Sequence, residues 1–182
     1  MEEKYYKLKV AGLERELPIC PVNDKLDIAG FIIFGDVELT KACAGELAKK
    51  LPEHDYMITA EAKGIPLIYE LARILGEKKH FIARKGLKVY MRDPIGVEVT
   101  SITTKKTQHL YLDSKDALLM KGKKILLVDD VISTGESLSA LEKLVEKAGG
   151  IVCGKAAILA EGDAADRKDI VFLEKLPLFF HD

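Results

Sequence analysis

A chain of 182 residues with 28 Lys plus Arg against 29 Asp plus Glu carries a formal charge of -1. That balance excludes the basic face an extended nucleic-acid surface needs, so no nucleic-acid partner is expected and anionic ligands must be held by local clusters. No apolar run approaches the ~20 residues of a membrane span, and Met1-Glu2-Glu3-Lys4 lacks the apolar core of a signal peptide, so neither a membrane nor secretion is expected.

Tyr5 to Val10 and Leu13 to Ile19 alternate polar and apolar residues around Ala11-Gly12, which predicts a β-hairpin without the strong Asn-Gly turn signal. A strand is expected over Phe31 to Phe34, then Gly35-Asp36 and a helix from Val37 to Leu51, with Asp36 as N-cap and Leu39, Ala42, Cys43 and Leu47 on one face. Tyr56 to Thr59 reads as a strand leading through Glu61-Ala62-Lys63-Gly64 into a helix with Pro66 in its first turn and a Gly76 stop. A strand over His80 to Ala83 runs into three cations in five residues, Arg84-Lys85-Gly86-Leu87-Lys88, which read equally as a solvated run or as anion ligands. The β-branched stretch Val97 to Thr104, followed by Gln108 to Leu112, predicts a second hairpin with its tip at Lys105-Lys106-Thr107.

The most informative stretch is Lys124 to Gly149. Ile125 to Val128 has the short apolar composition of a strand buried on both faces, and it ends in Asp129 and Asp130. Ser133-Thr134-Gly135-Glu136-Ser137 follows, then Leu138, Leu141, Leu144, Val145 and Ala148 at helical steps, with Gly149 and Gly150 as the stop. In a strand-turn-helix unit of this kind the turn lies at the carboxyl edge of the sheet, and the unpaired amides of the helix N-terminus suit a phosphate. A receiver domain also has an acidic pair after such a strand, but near its start, and only 52 residues follow Asp130 here. An ordinary crossover with two surface acids is the plain alternative. Strands over Ile151 to Leu159 and Ile170 to Leu173 flank a polar loop, Glu161 to Lys168, before the tail Leu176-Pro177-Leu178-Phe179-Phe180. No linker divides the chain, so 1–182 is expected to be one domain, with a hood over 1–30 and a core over 31–182. Cys20, Cys43 and Cys153 are too far apart for metal-ligand spacing and read as buried small hydrophobes in a reducing cytoplasm.

The stretch Val128-Asp129-Asp130-Val131-Ile132-Ser133-Thr134-Gly135-Glu136-Ser137 resembles the phosphoribosyl diphosphate (PRPP) motif of the type I phosphoribosyltransferases, and the rest of the chain is most similar to the adenine enzymes of that family. The resemblance implies an α/β fold, a mostly parallel central sheet flanked by helices, with a small N-terminal hairpin or hood and a flexible β-hairpin loop. It implies that Asp129 and Asp130 hold the ribose hydroxyls and, largely through PRPP and water, Mg2+. It also implies that residues Ser133, Thr134, Gly135, Glu136 and Ser137 bind the 5′-phosphate, although Glu136 stands where relatives carry Gly or Lys and must turn away from it. By the same resemblance Ala62, Lys63 and Gly64, with Arg84, Lys85 and Lys88, form the pyrophosphate side, where family members often have a cis peptide, here expected at Lys63. Ile33, Phe34, Gly35 and Val131 take the places of base-binding residues, with Gly35 replacing the usual Arg. Lys105 stands where the adenine enzymes carry a loop Glu, a place from which it can contact pyrophosphate, but it cannot replace that acid-base partner at neutral pH without a large downward pKa shift, so either another group serves, with Glu98 the candidate, or the base specificity differs. The implied activity is transfer of phosphoribose from PRPP to a purine, adenine first, with hypoxanthine, guanine or xanthine as alternatives, in a cytoplasmic homodimer. A non-catalytic sensor of PRPP or nucleotides is the reading from another class, disfavoured because the first ~30 residues hold no helix-turn-helix pattern or basic face.

Overall fold

The computed structural model describes residues 4–100 and 107–181. The chain opens with β1 (Tyr5–Val10) and β2 (Leu13–Asn23), paired antiparallel with Val10 opposite Leu13. Ala11 and Gly12 between them both take positive φ, 50° and 77°, as the primed hairpin turns require. β2 turns back into β3 (Leu26–Ala29), and β11 (Leu178–Phe180) comes from the far end of the chain to pair antiparallel with β3. The hood is therefore a four-stranded sheet, β1-β2-β3-β11, rather than a hairpin alone. Cys20, expected inside, is exposed, because it lies on the outward side of β2; Cys43 is buried and Cys153 half-buried.

The strand expected over Phe31 to Phe34 does not form; the strand in this region is β3, and residues 31–33 have no ladder partner. The segment is uniformly apolar in sequence, yet its burial alternates, with Phe31 and Ile33 buried while Ile32 and Phe34 are exposed. The segment leaves the hood at Gly30, whose amide donates to Pro18 O at 2.8 Å, and is anchored by alternate side chains instead of by a sheet.

α1 (Val37–Ala48) starts where expected, with Asp36 Oδ1 accepting from Leu39 N at 2.9 Å, but stops short of Leu51 because Pro52 disfavours helical backbone before it. Then come β4 (Tyr56–Ala60), α2 (Ile65–Leu75), β5 (Phe81–Ala83), and the antiparallel pair β6 (Ile95–Thr100) and β7 (Thr107–Leu112). α3 (Ser114–Met120), capped by Asp113, has no counterpart in the sequence reading, because its seven residues are too few for a periodic pattern. β8 (Lys124–Ile132), α4 (Glu136–Lys147), β9 (Ile151–Glu161), a short 3-10 turn over Gly162–Asp166 and β10 (Ile170–Leu176) complete the order.

The main sheet is parallel throughout, in the order β10-β9-β8-β4-β5. β8 alternates between two cores: Leu126 and Val128 pack with Leu39, Leu47, Leu67 and the hood residues Leu8 and Leu17, while Ile125 and Leu127 pack with Leu138, Leu141 and Leu144 of α4. Each such fully buried aliphatic side chain contributes roughly 1.5–3 kcal/mol of transfer free energy. From β4 the chain proceeds outward to β5, and from β8 it proceeds the opposite way to β9 and β10, so the topological switch lies between β4 and β8. The ladder from β8 to β9 runs on to Ile132, opposite Ala160, whereas that from β4 to β8 ends at Ile58 and Leu127. Beyond Leu127 the two strands part, and a crevice opens beside the acids.

Candidate active site

Asp129 and Asp130 lie inside β8 rather than after it, kept in line by the β9 ladder and facing the crevice on the β4 side. The amide of Asp130 donates to Asp129 Oδ1 at 2.8 Å. Burial first, and the neighbouring Asp130 charge second, push the Asp129 carboxyl up to about 7. Asp130 is buried, and Lys63 Nζ stands 2.9 Å from its Oδ2. No donor among the described residues reaches that oxygen with hydrogen-bond geometry, Lys63 included.

Lys63 comes from the turn between β4 and α2. A cis peptide joins Glu61 to Ala62, earlier in this turn than the expected position at Lys63. Gly64 is required by close approach, since a Cβ there would overlap Thr59 Oγ1. Glu61 faces the neighbouring turn, where Arg84 Nε donates to its Oε2 at 2.5 Å and the Lys85 amide to its Oε1 at 2.7 Å. Burial would raise the Glu61 carboxyl, but the Lys85 amide and Arg84 outweigh it and the net direction is down. Arg84 also donates through Nη1 to the Tyr90 hydroxyl at 2.6 Å, so two of its three nitrogens are engaged. Lys88 lies close enough to Glu61 to help lower it.

A cavity of about 180 Å³ is lined by Ala62, Lys63, Lys85, Asp129, Asp130 and Gln108, among others. It shares Asp129, Val131 and Ser137 with a second space of about 50 Å³ enclosed by Ser133, Thr134, Gly135 and Glu136. α4 begins at Glu136, with Gly135 at φ +80° as its N-cap. That end leaves first-turn amides without intrahelical acceptors beside the smaller space, which suits an anion. The two spaces adjoin at the acids, one edged by cations and the other by backbone amides.

The residues of the expected base side are not gathered into that cavity. Val131 lines it, but Ile33 is wholly buried in the core, Phe34 is half exposed, and Gly35 has φ +81°. Ile33 and Gly35 border a separate, mostly apolar hollow of about 270 Å³ with Thr40, Pro66 and Tyr69. Lys105 lies outside the described residues. Glu98 is on β6, largely exposed, 3.9 Å from His109 Nδ1. Gln108 carries no sequence signal, because nothing in a β-branched hairpin marks the residues, Gln108 and Leu110 among those described, that line the site. Glu161, read as part of a polar loop, ends β9; burial raises its carboxyl against the pull of Lys63. Arg15 on β2 donates to Asp36 at 2.7 and 3.2 Å and to Glu38 at 2.7 Å, tying the hood to the start of α1 across 21 residues that no local pattern spans.

With this geometry in place, comparison with known proteins gives a consistent answer. The family model described as the phosphoribosyl transferase domain matches residues 36–178. An adenine phosphoribosyltransferase of Corynebacterium jeikeium is 41% identical over 76 residues, covering 42% of this chain and 35% of that protein. A hypoxanthine/guanine phosphoribosyltransferase of Methanothrix thermoacetophila is 29% identical over 113 residues, covering 62% and 55%. The match thus spans about a third of the first of these curated relatives and about half of the second. Among solved structures, the adenine phosphoribosyltransferase of Thermoanaerobacter pseudethanolicus superposes with a TM-score of 0.66 at 28% identity, over 79% of this chain and 84% of that one.

Proposed function

The chain belongs to the phosphoribosyl transferase domain family, and from that premise we propose that it is a purine phosphoribosyltransferase, moving the 5-phosphoribosyl group from PRPP to a purine nitrogen with release of pyrophosphate, adenine giving AMP. The observation that carries the reading is the meeting of the acid pair and the α4 cradle at the switch point, two subsites joined through Asp129, Val131 and Ser137. The cradle amides and the hydroxyls of Ser133, Thr134 and Ser137 anchor the 5′-phosphate. Asp129 and Asp130 take the ribose hydroxyls, and Asp130 Oδ2, buried without a hydrogen-bond donor, is an acceptor in need of one. As the bond to pyrophosphate breaks, positive charge grows at the anomeric carbon, and fixed carboxylates in a drying crevice favour it. Lys63 and Lys85 face the departing pyrophosphate as point charges.

The oxygens at this edge fit a hard divalent cation such as Mg2+, and Asp129 and Asp130 would hold it together with substrate oxygens, because no cluster of three or more ligating side chains exists among the described residues. Such an ion supplies charge neutralisation of the pyrophosphate and a template for the ribose when bound. The hollow beside Gly35 and the exposed ring of Phe34 favour a planar base docking at the segment before α1. We include in the proposal a homodimer, which the exposed Leu87, Val89 and Tyr90 after β5 favour, and a cytoplasmic setting in keeping with the family reading. The likeness to a hypoxanthine/guanine enzyme supports a 6-oxopurine acceptor as the second reading. Pyrophosphate release from PRPP, measured with adenine, hypoxanthine, guanine and xanthine in turn, tests both; turnover is expected with one of them, and none with any base overturns the enzyme reading in favour of a sensor.

A further inference from the structure

One carboxylate at the carboxyl edge of the sheet has no part in the motif and no local duty. Glu161 ends β9 and stands at the N-cap of the 3-10 turn over Gly162–Asp166, yet its side chain makes no capping hydrogen bond. It is half-buried, and among the described residues nothing donates to it or pairs with it. Lys63 is the cation whose charge it feels, and that ammonium is already held by Asp130 at 2.9 Å. Burial raises the Glu161 carboxyl, because the donors that would offset its desolvation are lacking.

The ladder register fixes the side on which this acid lies. Val131 and Leu159 are paired across β8 and β9 and pack with the core that holds Leu39 of α1 and Leu67 of α2, while the next pair, Ile132 and Ala160, packs with the core that holds Leu141 of α4. Strand alternation therefore turns Glu161 to the side of Val131, α1 and α2, roughly 7 Å along the strand from Leu159. On that side lie Lys63 and the crevice that Val131 lines. The backbone around the acid is fixed. Glu161 pairs with Leu176 of β10, and Gly162, at φ +56°, leaves room for Leu178 of β11, since a Cβ there would come within 2.7 Å of Leu178 Cδ1. An unengaged acceptor is thus held at a strand end where the crevice side of the sheet meets the hood.

On the functional reading above, on which this inference rests, the cradle takes the 5′-phosphate, the acid pair the ribose, and Lys63 and Lys85 the pyrophosphate, which leaves the Val131 wall for the base. A ring laid on Val131 brings its edge toward the end of β9. We propose that Glu161 is a specificity-determining residue of the acceptor site, a carboxylate that accepts from the exocyclic amino group of the purine and so selects adenine or guanine over hypoxanthine and xanthine. An ionised carboxyl only accepts, so it attracts an amine and repels a ring carbonyl in the same place. A site built around such a hydrogen bond discriminates against the wrong substituent far more strongly than an apolar pocket does.

Steady-state pyrophosphate release from PRPP with adenine, guanine, hypoxanthine and xanthine, measured on the unaltered protein and on Glu161→Gln, tests it. In the unaltered protein the better amino-bearing purine is expected to exceed hypoxanthine and xanthine by about tenfold or more in kcat/KM. Glu161→Gln, whose amide both donates and accepts, should lower that ratio about tenfold and leave KM for PRPP unchanged. Either adenine or guanine as the preferred base supports the proposal, and its identity shows which amino group meets the acid. Glu161→Asp, which keeps the charge and shortens the reach, should give an intermediate ratio. Preference of the unaltered protein for hypoxanthine or xanthine overturns the proposal. So does a fall shared equally by all the bases, which marks a structural role, and so do ratios that Glu161→Gln leaves in place, which mark a hydrated acid. If no base is turned over, the functional reading fails and this inference with it, whereas turnover with an unchanged ratio defeats this inference alone.

Discussion

The cradle side of the site, residues 129–137, is one unbroken stretch that presents backbone amides and two strand-borne acids. The cations on the other side, Lys63 and Lys85 lining the crevice and Arg84 turned to Glu61 beside it, come from two other crossovers, and Lys63 and Arg84 are already paired with acids, Lys63 with Asp130 and Arg84 with Glu61. The first arrangement is set by local chain geometry. The second is set by side-chain charge; on the proposed reading, Lys63 would have to leave Asp130 to serve pyrophosphate, a rearrangement that would also free Asp130 for the ribose. One half of the site is therefore scaffold, and the other half is a charge network that substrate redistributes.

The largest expected effect lies on the scaffold side. Asp129→Asn with Asp130→Asn should lower turnover by at least ~10³-fold, since two charges aimed at the developing cation are lost. The melting temperature should stay level or rise, because burial and mutual repulsion already disfavour the Asp129 charge. Full activity, or an unfolded protein, would break the distinction. On the network side, Lys63→Gln should raise KM for PRPP by about tenfold with a smaller change in kcat, as expected for a movable point charge. A fall in kcat alone would make Lys63 part of the scaffold. Glu61→Gln removes the charged partner of Arg84 and should destabilise by about 1–2 kcal/mol in chemical denaturation while tightening pyrophosphate, because Arg84 is released toward the crevice; weaker pyrophosphate binding would show instead that Glu61 holds Arg84 in its working position.

The smallest effect concerns the hood. Arg15 first, with the Leu39 amide cap, outweighs burial and holds the Asp36 carboxyl below its ordinary 3.8. A lowered folded-state value means that the contribution is complete above the unfolded pKa and is lost as pH falls through the folded one. The gap in melting temperature between the unaltered protein and Arg15→Ala should be small, flat from neutral pH down to about 4, and should close below that. A gap that persists at lower pH would assign the effect to packing.

The same division explains what could be read from the residues alone. The unit from Ile125 to Ala148 was legible because strand, acids, turn and amphipathic helix are consecutive, and each local preference agrees with the fold. The Phe31 to Phe34 segment has the apolar run of a strand but lacks a ladder partner among the described residues, and partner choice is not a local property. The pairing of Arg84 with Glu61 joins residues 23 apart, and the hold of Arg15 on Asp36 joins residues 21 apart. Charges that meet only through tertiary structure look in sequence like any solvated surface.

The pairing of β11 with β3 has a consequence for how the molecule comes to exist. Leu178 meets Ile28 across 150 residues, so the sheet that braces segment 30–36 gains its last strand only when nearly the whole described chain has been made. Contacts of such long sequence separation form late, because the loop they close must first be ordered. During synthesis the four strands β9-β8-β4-β5 and their acid edge can assemble before β10 and β11, which are separated by one residue, are made together. A nascent chain is then expected to acquire the cradle before the lid-side surface against which a base would rest, and a cut just before Leu178 should loosen that surface while sparing the acid edge.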